Sequence, residues 1–143
     1  MRLYLDASAI LPTLVAEPAS PVVDQYLGGL SPPFFLSEFA AAEVASRLSI
    51  RVRTGSLTPE AGRERLARFD GWRATSTRDV DIREADMRLA HIIVRRFELA
   101  LRAPDALHLA ICRRLSLTLV TLDRRLARAG QDMGVAVELL GAA

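Results

Sequence analysis

Arg2-Leu3-Tyr4-Leu5-Asp6-Ala7-Ser8, at the start of the chain, is the stretch that decides the fold class. Arg2 to Leu5 is short, apolar and partly aromatic, and reads as a buried strand that ends at Asp6. Working outward, Ala9 to Ala16 and Pro21 to Leu27 read as short helices separated by Glu17-Pro18, and Pro33 to Leu36 as a second strand. Ser37 is an N-cap with Glu38 in the first turn, opening a helix to about Arg53 that Gly55 ends. Thr58-Pro59-Glu60 combines a capping hydroxyl, a proline at the first position and an early acid, and starts a helix to about Ala74. Arg78 to Ile82 reads as a strand and Arg83 to Glu98 as a helix. Pro104-Asp105 opens a helix to about Leu115, and Leu117 to Val120 is a short buried strand. Arg124 to Ala129 is a helix closed by Gly130, and Val135 to Leu139 is the last strand. Strands that alternate with helices predict an α/β fold, with a parallel sheet covered on both faces.

The chain has 143 residues and no internal repeat or linker, so one domain is expected. Half its residues are hydrophobic, enough for a real core. One cysteine, Cys112, excludes an internal disulfide framework, and its apolar neighbours suit a buried small hydrophobe. No stretch approaches the ~18 apolar residues of a membrane span, and Asp6 interrupts the N-terminus before a signal-peptide core can form. The expectation is a soluble, cytoplasmic protein without a membrane partner. The net charge is +2, and all 19 basic residues are arginine. Arginine suits bidentate phosphate contacts but cannot act as a Schiff-base amine or a phosphate-loop lysine.

Parallel sheets place their sites outside the carboxyl ends of the strands. Asp6 closes the first strand and Asp123 lies just past the Leu117–Val120 strand, so both belong at that edge; either alone also serves as a turn or cap acid. Glu43 stands in Phe39-Ala40-Ala41-Ala42-Glu43-Val44-Ala45, a stretch with no other charge. Helical spacing puts it on one face with Phe39, Ser46 and Ile50, a face expected to look largely inward. A buried carboxylate is costly unless it is paired or binds a metal; a solvated glutamate is the other reading. Asp105, in the first turn after Pro104, also suits the helix dipole.

Two carboxylates at strand ends and two near helix starts can converge on one pocket, where they repel. With no lysine to compensate, a hard divalent cation with oxygen ligands, Mg²⁺ or Mn²⁺, is the expected partner. Such an ion lowers the pKa of a water nucleophile and stabilises an in-line displacement. Zinc is disfavoured, because His91, His108 and Cys112 match no usual zinc spacing. The absence of lysine also excludes phosphoaspartate receivers, haloacid-dehalogenase-type phosphatases and phosphate-loop NTPases. No Gly-x-Ser-x-Gly elbow is present.

Four segments carry a family resemblance: Asp6-Ala7-Ser8 after the first strand, Glu43 in its Ala-rich helix, Pro104-Asp105-Ala106-Leu107-His108-Leu109-Ala110, and Leu119-Val120-Thr121-Leu122-Asp123-Arg124. In order and spacing the chain resembles PIN-domain nucleases, and more narrowly the VapC toxins of bacterial toxin–antitoxin pairs. The resemblance covers residues 1–143 as a single PIN domain. It implies a three-layer α/β/α sandwich with a central, mainly parallel sheet. It also implies an endoribonuclease dependent on Mg²⁺, with Mn²⁺ as substitute, that cuts RNA with a metal-activated water. Asp6, Glu43, Asp105 and Asp123 then take the catalytic and metal positions. Ser8 and Thr121 match hydroxyl positions beside the first and last acids, with roles in holding a ligand or contacting phosphate, although turn and cap roles also fit. Many relatives carry a further acid where this sequence has Arg125. One tightly held ion, with a second recruited by substrate, is therefore expected. The resemblance further implies a homodimer and a small antitoxin protein as partner.

Arginines recur at Arg47 with Arg51, Arg95-Arg96, Arg113-Arg114, and Arg124 with Arg128. They are either solvated faces or, near the acidic edge, contacts for an RNA backbone. His108, one turn beyond Asp105, is placed for acid–base work, though a plain buried or surface histidine fits as well, as for His91. Phe69 and Trp72 read as core, with Trp72 a candidate partner anchor. Other readings are a PIN-fold nuclease in RNA processing or DNA repair, and a non-catalytic PIN-fold binding module. The presence of all four acids argues against the module. A helical DNA-binding regulator explains the arginines but not the acids.

Overall fold

In β1 (Leu3–Leu5) successive side chains point to opposite sides, so Leu3 and Leu5 face one layer and Tyr4 the other. This alternation at the centre of the sheet organises the molecule. The computed structural model describes residues 1–141. Its other strands are β2 (Phe34–Ser37), β3 (Thr77–Val80), β4 (Thr118–Thr121) and β5 (Val137–Leu139). They pair in the order β3-β2-β1-β4-β5, and every pairing is parallel. Tyr4 is in register with Phe35 and Leu119, and Leu5 with Val120.

Helices α1 (Ala7–Leu14), α2 (Ser20–Gly28), α3 (Glu38–Arg53) and α4 (Pro59–Ser76) pack over the Leu3 and Leu5 face. Helices α5 (Glu84–Val94), α6 (Ala103–Leu115) and α7 (Arg124–Asp132) pack over the Tyr4 face, around Ile93, Leu109, Ile111, Leu119 and Leu126. Cys112 is buried there. The result is the three-layer α/β/α sandwich expected from the sequence. The caps also form: Ser37 Oγ accepts the Ala40 amide at 3.2 Å and Thr58 Oγ1 the Ala61 amide at 3.1 Å. Among the described residues no helix is long and apolar enough to cross a membrane.

Two helix ends differ from expectation. The Arg83–Glu98 helix stops at Val94: Arg96 leaves helical geometry (ψ 89), pairs with Glu98 and Asp132, and is followed by a 3₁₀ turn at Phe97–Leu99. Gly130 does not close α7 but lies inside it. A Cβ there would stand 2.6 Å from Val137 Cγ2, so this glycine lets α7 approach β5. The chain turns later, at Gly134, where φ is +75.

From β1 the strand order runs one way through β2 to β3 and the other way through β4 to β5. The boundary between β1 and β4 is therefore the topological switch point, and the crevice outside its carboxyl ends is the expected place for a site.

Candidate metal centre at the sheet edge

Asp6 leaves β1 at this crevice and is 5% exposed. Its carboxylate caps α1 through the Ala9 amide (3.2 Å to Oδ1), and two hydroxyls hold it: Ser8 Oγ donates to Oδ1 and Thr121 Oγ1 to Oδ2, each at 2.6 Å. Burial pushes the Asp6 carboxyl up; the two hydroxyls act against that shift. Thr121 ends β4 and Ser8 accepts the Leu122 amide at 3.0 Å, so the two hydroxyls tie the ends of β1 and β4 together. Asp6 keeps lone pairs for a further ligand.

Asp123 follows β4 and caps α7, its Oδ1 accepting the Arg125 and Leu126 amides at 2.9 and 3.2 Å. Asp105 lies in the first turn of α6, which starts with Pro104 in place to run back under the sheet. Burial raises the Asp105 carboxyl, and the Asp123 charge raises it further; the Arg102 backbone amide, His108 and the Arg102 guanidinium act in the opposite sense. The cap readings of Asp6 and Asp123 thus hold, and the two coexist with a facing pair of like charges, Asp105 and Asp123.

Glu43 departs from its expected setting. The buried stripe of α3 is Ala40, Ala41, Val44 and Leu48, while Ser46 and Ile50 are exposed. Glu43 sits at the border of that stripe with its side chain 25% exposed. One partner holds it: His108 Nε2, at 2.5 Å from Oε1. His108 is buried. His108 thus ties Glu43 of α3 to the first turns of α6, the helix that carries Asp105.

Against known proteins, a family model described as PIN domain matches residues 3–131. The chain belongs to the PIN-domain family. Ribonuclease VapC46 of Mycobacterium tuberculosis is 33% identical over 138 residues, spanning 94% of this chain and 95% of that protein. The fold is similar to the crystal structure of VapC20 from Mycobacterium tuberculosis, described as a Sarcin-Ricin loop cleaving toxin (TM-score 0.72, 16% identity, 90% of this chain and 95% of that one). It is also similar to VapBC2 from Rickettsia felis, bound to a DNA fragment from their promoter (TM-score 0.71, 16% identity, 98% and 99% coverage).

Whether this PIN domain suits a divalent cation is a question of donor chemistry. The edge offers carboxylate and hydroxyl oxygens only, the donors hard cations prefer. The Asp123 charge raises the cost of ionising Asp105, which a bound cation would relieve. Among the described residues no three His, Cys, Asp or Glu side chains form a closed ligand set. Sequence reasoning left His108 open between acid–base and packing roles. Its actual role, holding Glu43, joins residues 65 positions apart; the signal available was its place one turn beyond Asp105, on the same face of α6.

Proposed function

We propose that this PIN-domain protein is a Mg²⁺-dependent endoribonuclease, with Mn²⁺ as substitute, acting as the toxin of a toxin–antitoxin pair. The observation that carries the reading is the joining of the β1 and β4 ends at the switch point, where Ser8 and Thr121 hold Asp6 and Asp123 follows β4; Glu43 and Asp105 complete the proposed site. The 33% identity to a ribonuclease over nearly the whole chain supports RNA as the substrate class. Likeness to toxins of the VapC type supports a small antitoxin as partner and a homodimer as the working unit, in the cytoplasm.

In this reading Asp105 and Asp123 hold the cation, with Glu43 and Asp6 completing its surroundings directly or through water. Bound there, the cation supplies a lowered pKa for a water nucleophile and charge neutralisation for the phosphodiester. The chain's own contribution is orientation. Ser8 and Thr121 keep Asp6 ionised and aimed by donating to both of its oxygens. The α1 and α7 amide caps fix the acids to rigid elements. Arg125, exposed beside Asp123, stands where a further acid would bring a second ion, so one ion is expected in the absence of RNA.

The test is incubation of purified protein with total RNA in Mg²⁺ or Mn²⁺, with and without EDTA, beside Asp105→Ala prepared identically. Discrete cleavage that needs metal and vanishes in the variant is the expected result. Equal cleavage by both proteins would mean a contaminating ribonuclease. Cleavage by neither, with antitoxin removed, would favour a binding module.

A further inference from the structure

Behind Glu43 lies a line of buried polar side chains that the reading above does not use. Ser37 Oγ is 2.8 Å from the Tyr4 hydroxyl, which is 2.6 Å from His108 Nδ1; His108 Nε2 then meets Glu43. The three residues come from the end of β2, the middle of β1 and the first turns of α6, and each is at most 1% exposed. Phe39 and Tyr4 pack against the imidazole with ring centroids 5.7 and 5.5 Å away, which confines its orientation.

Counting hydrogens gives this line a direction. Ser37 Oγ already accepts the Ala40 amide. If Ser37 donates to Tyr4, Tyr4 donates to Nδ1 and Nε2–H donates to Glu43, every hydrogen in the line has an acceptor. In the opposite direction Tyr4 donates to Ser37, and the Ser37 hydrogen has no acceptor among the described contacts. A buried donor without an acceptor is costly, so the first direction wins. Burial holds the Tyr4 phenol well above its ordinary range, consistent with a neutral donor. Glu43 then receives the Nε2–H donor on Oε1. Its other lone pairs remain open.

We infer that His108, set by Tyr4 and Ser37, is a positioning residue that holds Glu43 aimed at the cation site. The inference rests on the proposal that Glu43 serves a divalent cation. The hydrogen bond orders a flexible glutamate side chain before the ion arrives, so binding does not bear that entropy cost.

The experiment measures Mn²⁺ affinity by calorimetry on folded protein, checked by circular dichroism, alongside cleavage kinetics. Four variants are compared: Glu43→Gln, His108→Asn, His108→Gln and Tyr4→Phe. Glutamine places an amide donor near the former Nε2; asparagine does not. His108→Asn should weaken Mn²⁺ by about 10–100-fold, the usual range for residues that support a ligand. His108→Gln should recover most of the affinity, and Tyr4→Phe should lose affinity in the same direction. In the unsubstituted protein, nitrogen-15 spectra of the imidazole should show Nδ1 bare and Nε2 protonated. Wild-type affinity in His108→Asn or Tyr4→Phe, equal losses in Asn and Gln variants, or the opposite tautomer would overturn the inference. Wild-type affinity in Glu43→Gln would instead remove the reading beneath it.

Discussion

Burial pushes the Asp105 carboxyl above the ordinary carboxylate range, and the Asp123 charge pushes it further. A carboxyl raised on folding contributes stability that is complete below its unfolded pKa and is lost as pH rises through the folded value. At neutral pH, ionised Asp105 therefore opposes folding. Asp105→Asn keeps the shape and removes that charge. Its expected effect is a metal-free melting temperature higher by about 3–4 °C, the equivalent of ~1 kcal/mol in a chain of this size. The same variant should lose cleavage, and Mn²⁺ should raise the melting temperature of the unsubstituted protein but not of the variant. Melts at pH 7 with Mn²⁺ and with EDTA check both halves. A variant that melts below the parent would show that Asp105 is a structural acid.

Helices α5 and α6 are joined by a pair of the opposite kind. Asp86 is 2% exposed and takes Arg114 bidentately, Nε at 2.8 Å and Nη2 at 2.9 Å, while Nη2 also reaches the Asp81 carbonyl at 2.8 Å. Burial alone would raise the Asp86 carboxyl, but Arg114 and the Arg83 amide outweigh it and hold it low. A lowered carboxyl contributes stability above its unfolded pKa that is lost as pH falls through the folded value. Arg114→Met leaves a buried charge unpaired and should cost about 3 kcal/mol at pH 7. That deficit should shrink as pH falls through the carboxylate range, and Asp86→Asn added to Arg114→Met should restore part of the loss. Urea titrations at pH 7 and pH 4 measure this; a deficit constant across pH would contradict it. A second element-scale prediction concerns Gly130. Alanine is the better helix former by about 1 kcal/mol, yet its Cβ would crowd Val137 Cγ2 at 2.6 Å and Leu109 Cδ2 at 3.2 Å. Crowding costs about 1–3 kcal/mol, so Gly130→Ala should lower the urea midpoint and Val137→Ala should relieve it. Thr58 and Gly130 also show what local patterns reveal. Thr58-Pro59-Glu60 announced its helix because capping is a contact three residues long. Gly130 looked like a stop, because its reason for being glycine is β5, a contact made only in three dimensions. Asp6 and Asp123 could be placed for a related cause: strand ends are local features, and the parallel pairing of β1 with β4 sets those ends side by side. The Ser37–Tyr4–His108 line was not legible, since its members are separated by 33 and 104 positions and each passes for a core residue.

At the scale of the molecule, the arginines divide into two groups. Arg51 pairs with Glu17, Arg73 with Glu38 and Asp79, Arg96 with Glu98 and Asp132, and Arg114 with Asp81 and Asp86. Three arginines of the sequence-level clusters, Arg51, Arg96 and Arg114, are thus engaged within the fold. Arg102, Arg124, Arg125 and Arg128 are exposed, and among the described residues none of them joins an ion pair. Arg102 adjoins Asp105 at the start of α6, and Arg124 and Arg125 adjoin Asp123 at the start of α7. Positive charge thereby rims an acidic crevice, an arrangement that lets a phosphate backbone approach carboxylates that would otherwise repel it. If these three arginines each neutralise one phosphate of single-stranded RNA, the slope of log affinity against log salt is about −2, or about 20-fold weaker binding between 50 and 200 mM salt. Arg124→Gln with Arg125→Gln leaves Arg102 alone, and the same salt step should then cost only about 3-fold. Binding measured with the Asp105→Asn protein, which should not cut its ligand, isolates this term from catalysis. Equal salt slopes in the two proteins would mean that RNA crosses another face, and would move the search to Arg47, Arg95 and Arg113.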